Sequence, residues 1–258
     1  MHVLLPPSEA KTAGGRGRPL RDRIGDGPLG VAWVRTTAAL AQLVAGDRTV
    51  AADALLLPKG VTEQALADNA RVLDARTTPA LRRYAGVVYD GLDFAALTPA
   101  EQRVANRSVH VFSGLFGVVR GDEPVPAYRV PGKAVLPGLG VAATFWRPVL
   151  VDVLGERLQR GLVVDLRSGD YAAMWRPERA GADRVVAVRV LSPAPRGGHA
   201  VISYTSKLGK GRLCAALVRR VAAGGRVATV EDVTAAWADC DGAGHEERTD
   251  GRLDLFTN

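Results

Sequence analysis

Short apolar runs alternate along this chain with longer stretches in which leucine, valine and alanine return every three or four residues. The short, valine-rich runs predict strands at 2–5, 109–112, 162–166, 184–191 and 200–204. The longer stretches predict helices over 31–44, 62–73, 99–105, 146–158, 207–222 and 231–238. Some of these helices have marked starts. Thr98 is followed by Pro99 and Glu101, a cap, a first-turn proline and an acid in order. Thr229 precedes Glu231 and Asp232, which suit the positive end of a helix. Strands interleaved with helices in this way predict one α/β domain over residues 1–258, a central mixed sheet flanked by helices. The segments 184–191 and 200–204, joined by a proline- and glycine-rich turn at 192–198, read as a hairpin, so part of the sheet should be antiparallel. Residues 14–30 are too long for a simple turn and read as a functional or mobile loop.

Composition narrows the class. The chain has 258 residues, 47% of them hydrophobic, enough for a large core. No apolar run approaches the ~20 residues of a membrane span. The first seven residues read as a strand entering a loop rather than a signal peptide. Two cysteines do not make a disulfide framework. The expectation is a cytoplasmic monomer with no membrane partner. No segment asks for a cofactor. The histidines, His2, His110, His199 and His245, have no ligand spacing, so no metal is expected from them.

A net charge of +7 favours polyanionic partners. Lys11, Arg16, Arg18, Arg21 and Arg23 crowd one stretch, whereas Asp241, Glu246, Glu247 and Asp250 make the tail acidic and predict an exposed loop there. Almost all the basic residues are arginine. The five lysines are Lys11, Lys59, Lys133, Lys207 and Lys210, and four of them fall inside motif-like stretches. An ammonium is a compact point charge suited to a tight pocket, unlike the planar guanidinium fork.

Four stretches carry candidate chemistry. Leu56 to Leu66, with Pro58-Lys59-Gly60 at its turn, reads as a helix-hairpin-helix-like element in which Gly60 and Lys59 meet a phosphate. An ordinary helical hairpin is the plain alternative. Ser206 to Arg212 sets lysines and glycines at a predicted helix start, a loose phosphate cradle without P-loop order. Leu5 to Lys11 leaves the first strand with Ser8, Glu9 and Lys11 in its loop, where α/β folds place ligand contacts. Val164 to Tyr171 also runs from strand to polar turn, carrying Asp165 and Asp170 as a carboxylate pair or as loop and helix caps.

Together these pieces resemble the YaaA peroxide-stress family over most of the chain. The matching segments are Leu4 to Lys11, Val88 to Leu92, Phe112 to Arg120, Tyr128-Arg129, Phe145-Trp146, Asp165 to Tyr171 and Lys207 to Gly211. The resemblance implies a single α/β domain of unusual topology with a helix-hairpin-helix-like element. It also implies binding to duplex DNA, including distorted or branched forms, and protection from hydrogen peroxide linked to lower free iron. Asp170 stands where the family has glutamate, and Gly121 follows Arg120 where the family has proline. These departures suggest a divergent, actinobacterial member, recruited to a task such as specialised metabolism.

Two readings follow. In the first, Lys59, Gly60, Lys207, Lys210 and Arg212 grip duplex or distorted DNA, extended by Arg16, Arg18, Arg21 and Arg23. In the second, the protein is an enzyme acting on a small anionic metabolite. Ser8, Glu9, Lys11, Asp90, Asp170 and Lys207 are then its catalytic candidates, and Ser113, Arg120, Arg129 and Ser168 bind substrate. A third reading, iron binding, rests on the acidic tail around Cys240, Asp241, His245, Glu246 and Glu247.

Overall fold

The computed structural model describes residues 1–22, 25, 27–194, 197–240, 242–247 and 252–257; Arg23, Asp241, Asp250 and two residues of the 192–198 turn, Pro195 and Arg196, lie outside them. Five parallel strands form the middle of one large sheet, in the order Arg252–Thr257, Val185–Pro193, Val163–Asp165, His2–Leu5 and Val109–Ser113. An antiparallel strand closes each edge: Gly242–Glu247 beside Arg252–Thr257, and Gly117–Arg120 beside Val109–Ser113. The sheet is therefore mixed and flanked by helices, as the sequence predicts.

The strands are short and apolar because both faces are covered. Val3 and Leu5 point into a core shared with the helices Val87–Leu92, Ser203–Ala222 and Val230–Ala238. Leu4 points the other way, with Phe112 and Val163, against the helix Ala142–Arg157 through Trp146, Leu150 and Leu154. Both marked helix starts are capping boxes: Thr98 with Glu101, and Thr229 with Asp232. Among the described residues, no helix is long and apolar enough to cross a membrane.

Three expectations need correction. The predicted strand at 200–204 survives only as His199–Ala200 against Ser192 and Pro193, because a helix begins at Ser203. The lysine–glycine segment therefore lies inside the helix Ser203–Ala222 rather than at its start. A Cβ on Gly211 would sit 2.0 Å from the Val88 carbonyl oxygen, and one on Gly91 would sit 2.3 Å from that of Leu208. These glycines let two helices pack backbone to backbone; they do not cradle an anion. The acidic tail is likewise no simple loop. It supplies both terminal strands, and Asp254 is buried against Arg189, its register partner, at 2.7 and 2.5 Å.

Helices Arg48–Ala54 and Thr62–Ala70 do flank the Pro58–Gly60 turn, through a short 3-10 segment at Lys59–Val61. The left-handed residue there is Leu56, at φ 53°, and a Cβ on Gly60 would meet nothing. The helical pair is present, but its turn does not depend on glycine.

At the opposite end of the strands from their carboxyl termini, His2 Nδ1 lies 3.1 Å from His110 Nε2, while His2 Nε2 meets the Arg160 carbonyl at 3.1 Å. His2 must donate to that carbonyl, so a neutral His2 accepts at Nδ1 and His110 donates from Nε2. His110 Nδ1 is then buried without a partner. Burial, reinforced by its positive neighbours, pushes the His110 imidazole down to about 3, and burial lowers His2 as well. The unfolded chain takes up these protons first as pH falls below about 6.5, so stability should fall from there down to about pH 3 and level off below. The His110 share of the slope should approach about 1.4 kcal/mol per pH unit, the limit for one proton. Urea midpoints for wild type and His110→Gln across this range check it: the variant should show the shallower loss.

Candidate functional site

His2–Leu5 and Val163–Asp165 are neighbours, yet the chain leaves them in opposite directions. From the first it crosses to Val109–Ser113; from the second it goes to Val185–Pro193 on the other side. Such divergence opens a crevice at the carboxyl ends of the strands, where α/β sheets hold ligands. A cavity of about 740 Å³ lies there. The first loop supplies Ser8 and Glu9, the second Arg167, Ser168, Asp170 and Tyr171, and the helix Ser203–Ala222 adds Ser203, Ser206, Lys207 and Lys210. These helical positions recur every three or four residues and so share one face.

Most charges around the cavity are already matched. Arg167 makes a bidentate pair with Asp165, at 2.9 Å from Nε and 2.7 Å from Nη2, and donates to the carbonyls of Tyr171 at 2.9 Å and Trp175 at 3.0 Å. Its guanidinium also lies 4.1 Å from the Phe112 ring centre. Arg189 is held by Asp254, Glu9 lies 3.6 Å from Arg129, and Asp170 lies 3.3 Å from Lys133. Neither Lys207 nor Lys210 forms an ion pair among the described residues. Lys207 is exposed at the rim, whereas Lys210 is buried. Burial lowers the Lys210 ammonium to about 8, with Asp165 opposing the shift.

Behind Ser8 and Glu9 lies a second polar cluster. The Lys11 ammonium donates to the Ser8 carbonyl at 2.9 Å and sits 4.2 Å and 5.2 Å from the ring centres of Tyr128 and Tyr84. Although Lys11 is only half-buried as a residue, its ammonium is enclosed. Desolvation pushes it down to about 7, with Arg129 and Arg83 adding to the shift and Glu9 resisting it. Ser113 Oγ accepts from the Leu115 and Phe116 amides, so its hydrogen goes to Tyr128, 2.6 Å away, and Tyr128 donates onward to Tyr84 at 2.6 Å. Burial raises the pKa of both phenols.

The family signature described as peroxide stress protein YaaA spans residues 1–239. A UPF0246 protein of Streptomyces coelicolor is 43% identical over 219 residues, covering 84% of this chain and 83% of the relative. A UPF0246 protein of Corynebacterium efficiens is 34% identical over 240 residues, covering 89% of this chain and 91% of the relative. The chain belongs to the YaaA peroxide stress protein family.

The YaaA-like segments converge unevenly. Ser8, Glu9, Ser168, Asp170, Lys207 and Lys210 line the cavity. Lys11, Ser113 and Arg129 stand in or beside the cluster behind it. Asp90 is exposed and off the cavity lining, and Arg120 sits at the far end of the sheet, paired with Asp122 at 3.2 Å. Lys59 and Gly60 lie on the separate helical hairpin, and Arg212 lines a hollow with Arg219 and Arg220. Sequence reasoning missed Arg167, Ser206, Tyr84 and Tyr128 as site residues. The Ser203, Ser206, Lys207, Lys210 spacing is legible once the helix is started at Ser203. Tyr84 gives no such signal, and Tyr128 is marked only by the family-like pair Tyr128-Arg129, because their partners are distant in sequence. Among the described residues, no three metal-ligating side chains converge.

Proposed function

We propose that this YaaA-family protein binds and acts on a small anionic molecule in the cavity between the loops that follow His2–Leu5 and Val163–Asp165. The supporting observation is charge balance: the other charged residues of the lining are ion-paired, while Lys207 and Lys210 bring two cations with no ion-pair partner among the described residues. Unmatched cations in a walled cleft favour an anion strongly, since the low dielectric leaves them poorly screened. The apolar lining from Val88, Val188 and Val201 suits the carbon body of such a ligand. Duplex DNA is the second reading. It is favoured by exposed Lys59 at the turn before the helix Thr62–Ala70, whose first turn has no side-chain cap, and by exposed Arg16 and Arg18. Under that reading, protection from peroxide is the shielding of DNA from hydroxyl radical made by iron(II).

One titration separates the two. Pyrophosphate and a short duplex are each titrated at low and moderate salt against wild type, Lys207→Ala and Lys59→Glu. The cavity reading expects pyrophosphate to bind roughly tenfold more weakly to Lys207→Ala, the loss of about one charged hydrogen bond, and unchanged to Lys59→Glu. The DNA reading expects the reverse, with duplex affinity falling as salt rises at a log–log slope of about −0.9 per phosphate neutralised. Equal pyrophosphate affinity in wild type and Lys207→Ala sinks the cavity reading.

A further inference from the structure

Lys210 differs from the other cavity cation in ways that anion binding alone does not use. It lies inside the helix Ser203–Ala222, 6% exposed, with Gly209 packed on Val190 and Trp237 and Gly211 packed on Val88. Its backbone is thereby fixed on both sides. The ammonium donates to the Arg167 carbonyl at 3.3 Å. Asp165 acts on its charge, and Glu9, Arg167, Asp170, Arg189, Ser206 and Lys207 line the same cavity. The Asp165 oxygens already accept three bonds from Arg167, so that carboxylate is not free to clamp the amine.

We propose that Lys210 is a nucleophilic amine that forms an imine with an anionic aldehyde or ketone held in the cavity. The proposal rests on the anion-binding reading above. Lys207, three residues earlier on the same helix face, holds the carboxylate or phosphate of the substrate at the rim, while its carbonyl reaches the buried amine. The neutral Nζ adds its lone pair to the carbonyl carbon, and the carbonyl π pair moves to oxygen, which takes the proton released by nitrogen. A second proton, from solvent at the cavity mouth, lets that oxygen leave as water, and the nitrogen lone pair closes the protonated C=N bond. Nothing is oxidised or reduced. Burial makes the Lys210 ammonium give up its proton more readily than an exposed lysine does, so a fraction of it is the neutral amine that this step needs.

The lysine-poor sequence makes the test clean. Pyridoxal 5′-phosphate, an anionic aldehyde, is added to the intact protein, any imine is reduced with borohydride, and the labelled peptide is located by mass spectrometry. Pyridoxine 5′-phosphate, which lacks the carbonyl, is compared by thermal shift. The expected result is a single label per chain on Lys210, absent from Lys210→Arg, which keeps the cation and melts like wild type. Labelling of Lys11, Lys207, Lys59 or Lys133 with Lys210 unmodified overturns the imine. If both compounds stabilise the protein yet Lys210 stays unlabelled, the imine falls and the anion site stands. If neither stabilises it and no label appears, both fall.

Discussion

Gly211→Val is expected to leave little folded protein. The added Cβ would stand 2.0 Å from the Val88 carbonyl oxygen and 2.7 Å from the Leu92 amide nitrogen, and both are backbone atoms that no rotamer change can move. Relief requires the helices Val87–Leu92 and Ser203–Ala222 to separate. Separation would also unseat Leu213, Cys214 and Leu217 from the core and shift Lys210 out of the cavity wall. Overpacking a core side chain costs about 1–3 kcal/mol; a clash with backbone on both flanks should exceed ~3 kcal/mol, a large part of the 5–15 kcal/mol that holds a typical domain together. Gly211→Ala should therefore already lower Tm by roughly 6–12 °C. Gly155→Ala, where a Cβ would meet nothing in the helix Ala142–Arg157, should leave Tm unchanged or raise it slightly. Thermal melts followed by circular dichroism decide it: equal behaviour of the two alanine variants would mean that the helices are not locked by this contact.

The second large effect is expected at Arg167. Its side chain is 1% exposed and Asp165 is 12% exposed, so Arg167→Met strands a carboxylate where water does not reach it freely. Removing one partner of such a pair costs about 3–5 kcal/mol. The Tyr171 and Trp175 carbonyls lose their donor as well, and these residues carry the turn that lines the cavity. The double variant Asp165→Leu with Arg167→Met removes both charges and should recover much of the loss, because the pair's attraction largely offsets its own desolvation. Urea denaturation of the two variants checks this. A double variant no more stable than Arg167→Met would show that the pair is not the main term.

Much of the fold is legible in the sequence, because it is written in local patterns. The valine runs locate the strands at 2–5, 109–113 and 163–165, and Thr98 and Thr229 mark helix starts through short-range hydrogen bonds. Reasoning fails where a partner far along the chain decides the outcome. Arg252–Thr257 alternates like a strand, yet Asp254 occupies a buried position because Arg189 faces it across the parallel pairing. That compensation is invisible from either residue alone. The loops bearing Ser8, Glu9 and Asp170 announce themselves as polar turns after strands, and they do meet. What places Lys210 among them is the extension of one helix by a turn toward its amino end. Tyr84 and Tyr128 flank Lys11 only because their segments return to the first loop.

The placement of His2–Leu5 at the middle of the sheet has a consequence for how the molecule assembles. The neighbours that satisfy the two edges of this strand come more than a hundred residues later in the chain, at Val109–Ser113 and Val163–Asp165. Contacts of such long sequence separation slow folding and keep apolar surface waiting. The cavity is completed only when residues 203–210 arrive, so a ligand held there reports that the strands from His2–Leu5 to Val185–Pro193 and the helix after them have packed together.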